Sequence, residues 1–231
     1  MLRNVHVSGT SDGLREALEQ RLQRAGASIV ENPAESELVV GIDQEEDCDI
    51  AVIPMGSDPP KSKIVVELKD VVIPNGGRKW GNEIMIDWIR QIKFGGEPKI
   101  ESMDRFWVNV RDVTDAISCL CMNEREPNLS GTFRMCGRRA WSSEHVIDEI
   151  RILWERYNNA INHSHTIESL SEVPSPVRGI YSERSQTPDL GSLHNALIAI
   201  GAEGWHPLVP MRVSIMAVSY THLTLPTNRE V

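Results

Sequence analysis

The sequence predicts an α/β fold built on a mainly parallel sheet, and three observations carry this. Short β-branched runs alternate with segments whose apolar residues recur at helical spacing. The first run, Val5 to Val7, leads through a glycine-bearing turn, Gly9 to Gly13, into a helix and then a second strand. Two later runs, "ELVVGID" and "CDIAVIPMG", are rich in β-branched residues and bounded by polar ones, as buried parallel strands are.

Each element has its own justification. The first helix sets Leu14, Ala17, Leu18 and Leu22 on one face and is closed by Gly26. The second strand runs from Ser28 to Glu31. Only the acidic turn "QEEDC" separates the next two strands, and "SKIVVELKDVVIPNGG" reads as another strand, ended by Pro74 and a turn at Asn75 to Gly77. Ile84, Met85, Trp88, Ile89 and Ile92 form the apolar face of the following helix. "RFWVNVRDVTDAISCL", Arg105 to Leu120, starts as a strand and becomes a helix with Val113, Ala116, Ile117 and Leu120 inward. Asp112 is expected to cap that helix, with Asp115 reinforcing the favourable charge. "GTFRMCG" supplies one more strand. The Ser-capped helix "SSEHVIDEIRILWERY" buries Val146, Ile147, Ile150, Leu153 and Trp154. Residues 158–188 are Ser/Pro-rich and loop-like, and "LGSLHNALIAIGAEGWHPLVP" gives a last helix with a Gly-Trp-x-Pro exit.

At 231 residues, 40% hydrophobic and 25% charged, the chain reads as one ordinary soluble domain with a small lobe. A net charge of −9 argues against nucleic acid as a partner, because phosphate-backbone affinity rests on clustered Lys and Arg. It leaves room for a small anionic ligand held by one or two arginines. No window is apolar for long enough to span a bilayer, and the N-terminus lacks a signal peptide's apolar core, so no membrane association is expected and the cytoplasm is the expected setting. Cys48, Cys119, Cys121 and Cys136 show no paired CxxC spacing, which predicts free thiols rather than a disulfide framework or zinc site. His163 and His165 have no recurring carboxylate or thiol partner, and no metal is expected.

The last segment, "VSYTHLTLPTNREV", departs abruptly in composition from what precedes it. It matches the translation of a transposon adapter used in sequencing libraries. Residues 218–231 are therefore expected to be a non-native tail, with Tyr220 and His222 outside any site, and removing them is expected to leave the fold intact.

The strand–glycine turn–helix–strand unit is the shape of a nucleotide-binding half. Its glycines let the backbone approach a pyrophosphate, and the helix presents free N–H groups to it. Gly9, Thr10, Ser11 and Gly13 are the candidate cofactor-binding residues. The spacing is irregular: Arg15 or Glu16 stands where a third glycine would allow close helix–strand packing.

Several pieces, in order, resemble the extended short-chain dehydrogenase/reductases, the NAD-dependent epimerase/dehydratase family acting on nucleotide sugars. Arg105, Phe106, Trp107, Val108, Asn109, Val110, Asp112, Val113 and Ala116 reproduce the family's arginine, strand and aspartate-led helix. "ELKDVVIPNGG" is similar to its "R-L-x-N-V-Y-G-P" strand end. "SGTFRMCGRRAWSSEHVIDEI" is similar to its "G-x-Y-N-V-G … S-x-x-E" segment, and "DLGSLHNALIAIGAEGWHPLVPMR" to its "D-x-S-K-A … L-G-W-x-P" ending. The resemblance spans roughly Val5 to Arg212. It implies a Rossmann-type sheet with helices on both faces in residues 1–217, and a substrate lobe drawn mainly from 75–104 and 158–212. It implies NAD as cofactor, with NADP possible, and a nucleotide sugar as ligand. Arg105 would lie on the sugar nucleotide's diphosphate, where a guanidinium can bind phosphate oxygens in bidentate fashion; the alternative is an ion pair with Asp104 or Glu101. Asn75 and Arg184 are the other substrate-side candidates. Asp43 would approach the adenine edge and Glu31 the adenine ribose, an acidic residue there favouring NAD over NADP; both could equally be solvated strand-end charges.

The departures bear on chemistry. The family's middle block, with its Ser/Thr and Tyr-x-x-x-Lys helix, is replaced by "VIPMGSDPPKSKIVVEL". The tyrosines are Tyr157, Tyr181 and Tyr220, and four residues beyond them stand Ile161, Ser185 and Thr224. In this chemistry a tyrosine exchanges a proton with a sugar hydroxyl, and a lysine lowers its pKa and holds the nicotinamide ribose. No catalytic residue is therefore assigned. Three readings stay open: an NAD(P)-dependent enzyme impaired as it stands, a non-catalytic nucleotide- or nucleotide-sugar-binding relative, and an internally deleted gene product of an active enzyme.

Overall fold

The computed structural model describes residues 3–74, 80–168 and 188–223. Strand β1 (Arg3–Gly9) turns into α1 (Gly13–Arg24) and returns as β2 (Ala27–Ile29). A short 3-10 turn at Pro33–Glu35 leads to β3 (Leu38–Ile42), β4 (Cys48–Pro54) and β5 (Ser62–Leu68). There follow β6 (Val71–Val72), α2 (Glu83–Lys93), β7 (Val108–Asn109), α3 (Val110–Cys121) and β8 (Gly131–Met135). Helices α4 (Ser143–Ile161), α5 (Gly191–Ala199) and α6 (Met211–Leu223) complete the described chain.

Six strands form one sheet in the order β2-β1-β3-β4-β5-β8, every neighbouring pair parallel. The chain leaves β1 in one direction to form β2 and comes back on its other side as β3. A doubly wound sheet opens a crevice at such a reversal, outside the carboxyl ends of its strands. This is the α/β, Rossmann-like, mainly parallel architecture that the alternating pattern predicts.

Alternation along the strands decides where the cores sit. Val5, Val7, Val40, Ile42, Ile50, Val52, Ile64 and Val66 point to one face, against Leu14, Leu18 and Leu22 of α1, Val113 and Ile117 of α3 and Leu193 and Leu197 of α5. Ala51, Ile53 and Val65, on the opposite face, form a small cluster with Cys48. The connections above it, residues 43–47 and 55–61, are far shorter than the helix-bearing crossover usual for parallel strands. A second core joins α2, α4 and α6 through Met85, Trp88, Ile89, Val146, Ile147, Ile150 and Ile215, with Trp107 and Trp141 between them. Glu149, nearly buried on α4, accepts two hydrogen bonds from Arg212 at 2.6 and 3.1 Å and ties α6 to α4.

Most helices begin and end where their residues dictate: Asp12 and Ser142 cap α1 and α4 through their side chains, and Gly26 follows α1 at φ 92°. Four elements differ from the expectation. The run from Ser62 is not one strand; it breaks at Asp70 (φ 54°) into β5 and the short β6, which pairs with β7. Helix α3 starts at Val110, two residues before Asp112, and its cap is Asn109, whose side chain accepts from Arg111 N at 2.9 Å. Asp115 pairs with Arg21 of α1 instead of serving the cap. Helix α4 runs on to Ile161, and α6 is an additional helix after Pro210.

Helix α6 carries straight through the expected start of the tail, and Val218 is fully buried beside Ile215 in the second core. Ending the chain at Ala217 should therefore lower stability by about 2 kcal/mol, the worth of one buried valine side chain, while the larger core keeps unfolding cooperative. Urea titration of the two chain lengths checks this; an unchanged midpoint would show that Val218 contributes nothing.

Candidate functional site

At the carboxyl edge of the sheet, β1 ends at Gly9 with φ 91°, a conformation in which a Cβ would overlap the Ile42 carbonyl of β3. Only glycine fits, and the turn that follows is pinned by Thr10 N donating to that same carbonyl at 2.8 Å. Gly9 and Ser11 are exposed, Thr10 half-buried, and Gly13 is the first residue of α1. The sequence-predicted turn thus lies at the carboxyl edge of the sheet, beside the β1–β3 reversal.

Asp12, not among the sequence-based candidates, dominates the helix end. Its Oδ1 accepts from Leu14 N at 3.0 Å and Arg15 N at 3.2 Å, and its Oδ2 from the Trp80 indole Nε1 at 2.7 Å. Trp80 is 1% exposed, so this third donor is fixed by the main core. Arg15 is turned along the helix to Glu19 at 2.8 Å, with a longer contact from its guanidinium to the Gly9 carbonyl. An aspartate directly before the first helical residue was a legible cap signal; its indole partner, far along the chain, was not.

Glu31 lies just past the end of β2 and is exposed. Asp43 follows β3 at φ 46°, half-buried, with its N–H on the Val52 carbonyl at 2.8 Å. Both stand at the strand ends that flank β1, as the sequence predicts.

Arg105 occupies a second place on this edge. A cavity of about 680 Å³ opens beside Lys69 and Asp70, between the start of α2 and the segment that leads to β7. Arg105 lines it, but its guanidinium is engaged. Nε and Nη2 reach the two oxygens of Glu101 at 2.9 and 3.3 Å, and Nη1 reaches Asp70 Oδ1 at 3.2 Å and the Gly81 carbonyl at 3.4 Å. The Trp107 ring lies 5.5 Å away. Burial works against the charge, yet the hydrogen bonds to Glu101 and the charge of Asp70 outweigh it and hold the pKa above its ordinary value. The ion pair is with Glu101 and Asp70, not with Asp104. Residues 80 and 81 join the two places: the Trp80 indole meets Asp12, and the Gly81 carbonyl meets Arg105. Asn75 and Arg184 lie outside the described residues, as does Tyr181.

The departures from the family pattern have local consequences. Asp70, where the family has asparagine, takes a left-handed conformation that Asn and Asp both tolerate. Glu67, for the family's arginine, pairs with Arg134 of β8 at 3.4 Å. Val72 and Ile73, for Tyr–Gly, are buried. Tyr157 stacks on Trp154 at 5.5 Å and meets Tyr220 edge-on, in a groove between α4 and α6 rather than at the strand ends. His6 is held on β1 by the Val30 carbonyl, and His194 accepts from Trp205 N at 3.1 Å. The four cysteines are free thiols, and burial pushes Cys121 and Cys136 up to about 12. Among the described residues no group of three or more His, Cys, Asp or Glu could hold a metal, and no helix is long and apolar enough to cross a membrane.

Solved structures share this fold. Bordetella bronchiseptica WbmF in complex with NAD+ and UDP matches with a TM-score of 0.57 and 12% identity, over 95% of this chain and 92% of its own. WbmH from the same organism, in complex with NAD+, matches at 0.60 and 10%, over 97% and 99%. UDP-N-acetylglucosamine 4-epimerase from Bacillus cereus matches at 0.56 and 10%, over 100% and 99%. No protein-family model matches the chain, and no curated protein does. The chain has the Rossmann-type fold of these structures.

Two expectations follow from the buried charges. Arg105→Ala leaves Asp70, 1% exposed, without its counter-charge, and should cost about 3–5 kcal/mol in chemical denaturation; a loss below 1 kcal/mol would mean that the Phe106 N–H alone sustains Asp70. Asp112 is nearly buried, and its carboxylate accepts from Leu208 N at 2.8 Å and Val209 N at 3.2 Å. Burial pushes its pKa up and these two N–H groups only partly offset the push. The folded state then binds a proton more readily than the unfolded one, so this group's contribution is fully present below the ordinary carboxylate range and is lost as pH rises through the raised pKa. Stability of the wild type relative to Asp112→Asn should accordingly be greater at pH 4 than at pH 7; the reverse order would show that the two N–H groups prevail.

Proposed function

We propose that this chain is a nucleotide-binding protein of the NAD-dependent epimerase/dehydratase type that lacks the family's proton-transfer group. The observation that carries the reading is the pairing of the β1–β3 reversal in strand order, bordered by the Gly9–Gly13 turn, with an arginine-lined cavity on the same sheet edge. Structures of the same fold hold NAD+ together with UDP, and two ligands of that kind need two adjacent places.

NAD is the cofactor in this reading. Glu31 and Asp43 would border its adenosine end, with Gly9, Thr10 and Ser11 as backbone neighbours. The exposed Gly9 turn fits a close approach of ligand; the end of α1 fits a diphosphate poorly, since its N–H groups already serve Asp12. When bound, NAD supplies hydride exchange; the chain's own residues supply binding and orientation only. A nucleoside-diphosphate sugar would enter the second cavity, its phosphate competing with Glu101 for the Arg105 guanidinium while Asp70 keeps the arginine in place. Asn75 and Arg184 belong to the same proposed substrate side. The free thiols suit a reducing, cytoplasmic setting.

Catalysis is where the residues fall short. The sequence has no tyrosine with a lysine four residues on, and losing general acid–base help costs roughly two to four orders of magnitude in rate. A non-catalytic binding protein and an internally deleted gene product both account for this; the short 55–61 connection, where the family's block would be inserted, favours the second. Sequencing the source DNA across Gly56 to Lys63 separates them.

The reading makes two measurable statements. Arg105→Ala should weaken binding of UDP-glucose by roughly 1.5–3 kcal/mol in calorimetry, the worth of a charge-assisted hydrogen bond. Glu101→Gln, which frees the guanidinium without exposing Asp70, should strengthen it; if neither variant moves the affinity, Arg105 is a structural ion pair only. The protein as it stands should show no turnover of UDP-, GDP- or dTDP-sugars with NAD or NADP, followed by nicotinamide absorbance and chromatography of the sugars. Turnover that survives mutation of Tyr157 and Tyr181 would place a different proton-transfer group in the protein.

A further inference from the structure

The diphosphate of a dinucleotide sits at the amino end of the helix after β1, where free N–H groups and the helix dipole meet its charge. In this chain that position already holds an anion. Asp12 receives Leu14 N and Arg15 N on one oxygen and the buried Trp80 indole N–H on the other. Three donors from two elements converge on one carboxylate, and the indole cannot follow a displaced Asp12 because Trp80 is 1% exposed within the main core. The nearest basic side chain of the helix, Arg15, is paired with Glu19.

We infer that Asp12 is a built-in anion occupying the diphosphate position, so that the β1–β3 crevice selects uncharged nucleosides over nucleoside diphosphates. The inference rests on the nucleotide-binding reading for its ligand, but the occupied position stands on the geometry alone. A phosphate arriving there meets a like charge instead of N–H donors. Pushing Asp12 aside would strip a buried indole and the helix end of their acceptor. Neither penalty touches an adenosine lodged against Glu31 and Asp43. Asp12 thereby sets both the low affinity for the dinucleotide and the order of preference among its fragments.

The test is calorimetry of adenosine, ADP, NAD and inorganic pyrophosphate on the wild type and on Asp12→Ser, which keeps a capping oxygen and removes the charge. The wild type should bind adenosine at least as tightly as ADP and take up no pyrophosphate. The variant should bind ADP, NAD and pyrophosphate roughly tenfold more tightly or better, with adenosine unchanged. Pyrophosphate should also shift the Trp80 indole N–H resonance in the variant alone. Asp12→Asn, close to isosteric, replaces the serine variant should that one fail to fold. Wild-type ADP affinity above that of adenosine, or no gain for pyrophosphate in either variant, overturns the inference. If adenosine binds to none of these proteins while pyrophosphate still separates variant from wild type, the nucleotide reading falls and the assignment of Asp12 stands.

Discussion

The carboxylate of Asp70 holds the two halves of this protein together. It sits where β5 ends, 1% exposed, and a charge so placed is tolerated only if it is paired and hydrogen-bonded. Its Oδ2 takes Phe106 N at 2.8 Å, its Oδ1 takes Arg105, and its own carbonyl takes Val108 N at 3.0 Å. These contacts bring the segment that precedes β7 against the end of the main sheet, and β6 and β7 pair from that point. The Gly81 carbonyl joins the same arginine, and at φ 81° a side chain there would strain the backbone. From one buried acid, then, follow the position of the second core and the mouth of the cavity beside Arg105.

Arg105 is shared between two carboxylates of different burial. An arginine held by Asp70 on one side is oriented, and the same guanidinium faces Glu101, 33% exposed, on the other. The buried partner fixes the side chain, and Glu101 holds it with two hydrogen bonds. A bidentate pair is the stronger form of such a contact, so any competing anion has to replace both bonds.

How much of this was legible in the sequence depends on the range over which each signal acts. The apolar faces of α1, α2 and α4 are local periodicities, and the residues read as inward are buried or half-buried there. Gly9 and Gly26 were legible because only glycine meets the backbone geometry they adopt. The break at Asp70 was not, since "SKIVVELKDVVIP" has the composition of one strand and the partners that fold it are Arg105 and Phe106. Asp112 reads as a cap by residue type, but its carboxylate is taken by Leu208 and Val209, and Asn109 caps in its place. Asp12 is the clearest case: the cap was readable and the Trp80 contact was not, and it is the contact that turns an ordinary cap into a fixed anion. The Rossmann-type resemblance supplied the frame in which these differences have meaning, and the shared fold bears the frame out.

The short connections between β3, β4 and β5 carry a kinetic consequence. Closing a loop costs more entropy the longer it is, and strands joined by long excursions wait for the rest of the chain. Here residues 43–47 and 55–61 bring three neighbouring strands into register with almost no intervening chain. Strand β8 must find β5 across everything from β6 to the end of α3. The central ribbon should therefore assemble first and the β8 edge last, leaving β5 as a transiently unpaired edge during folding. An unpaired, β-branched edge such as "KIVVEL" is the segment through which a partly folded chain would join another.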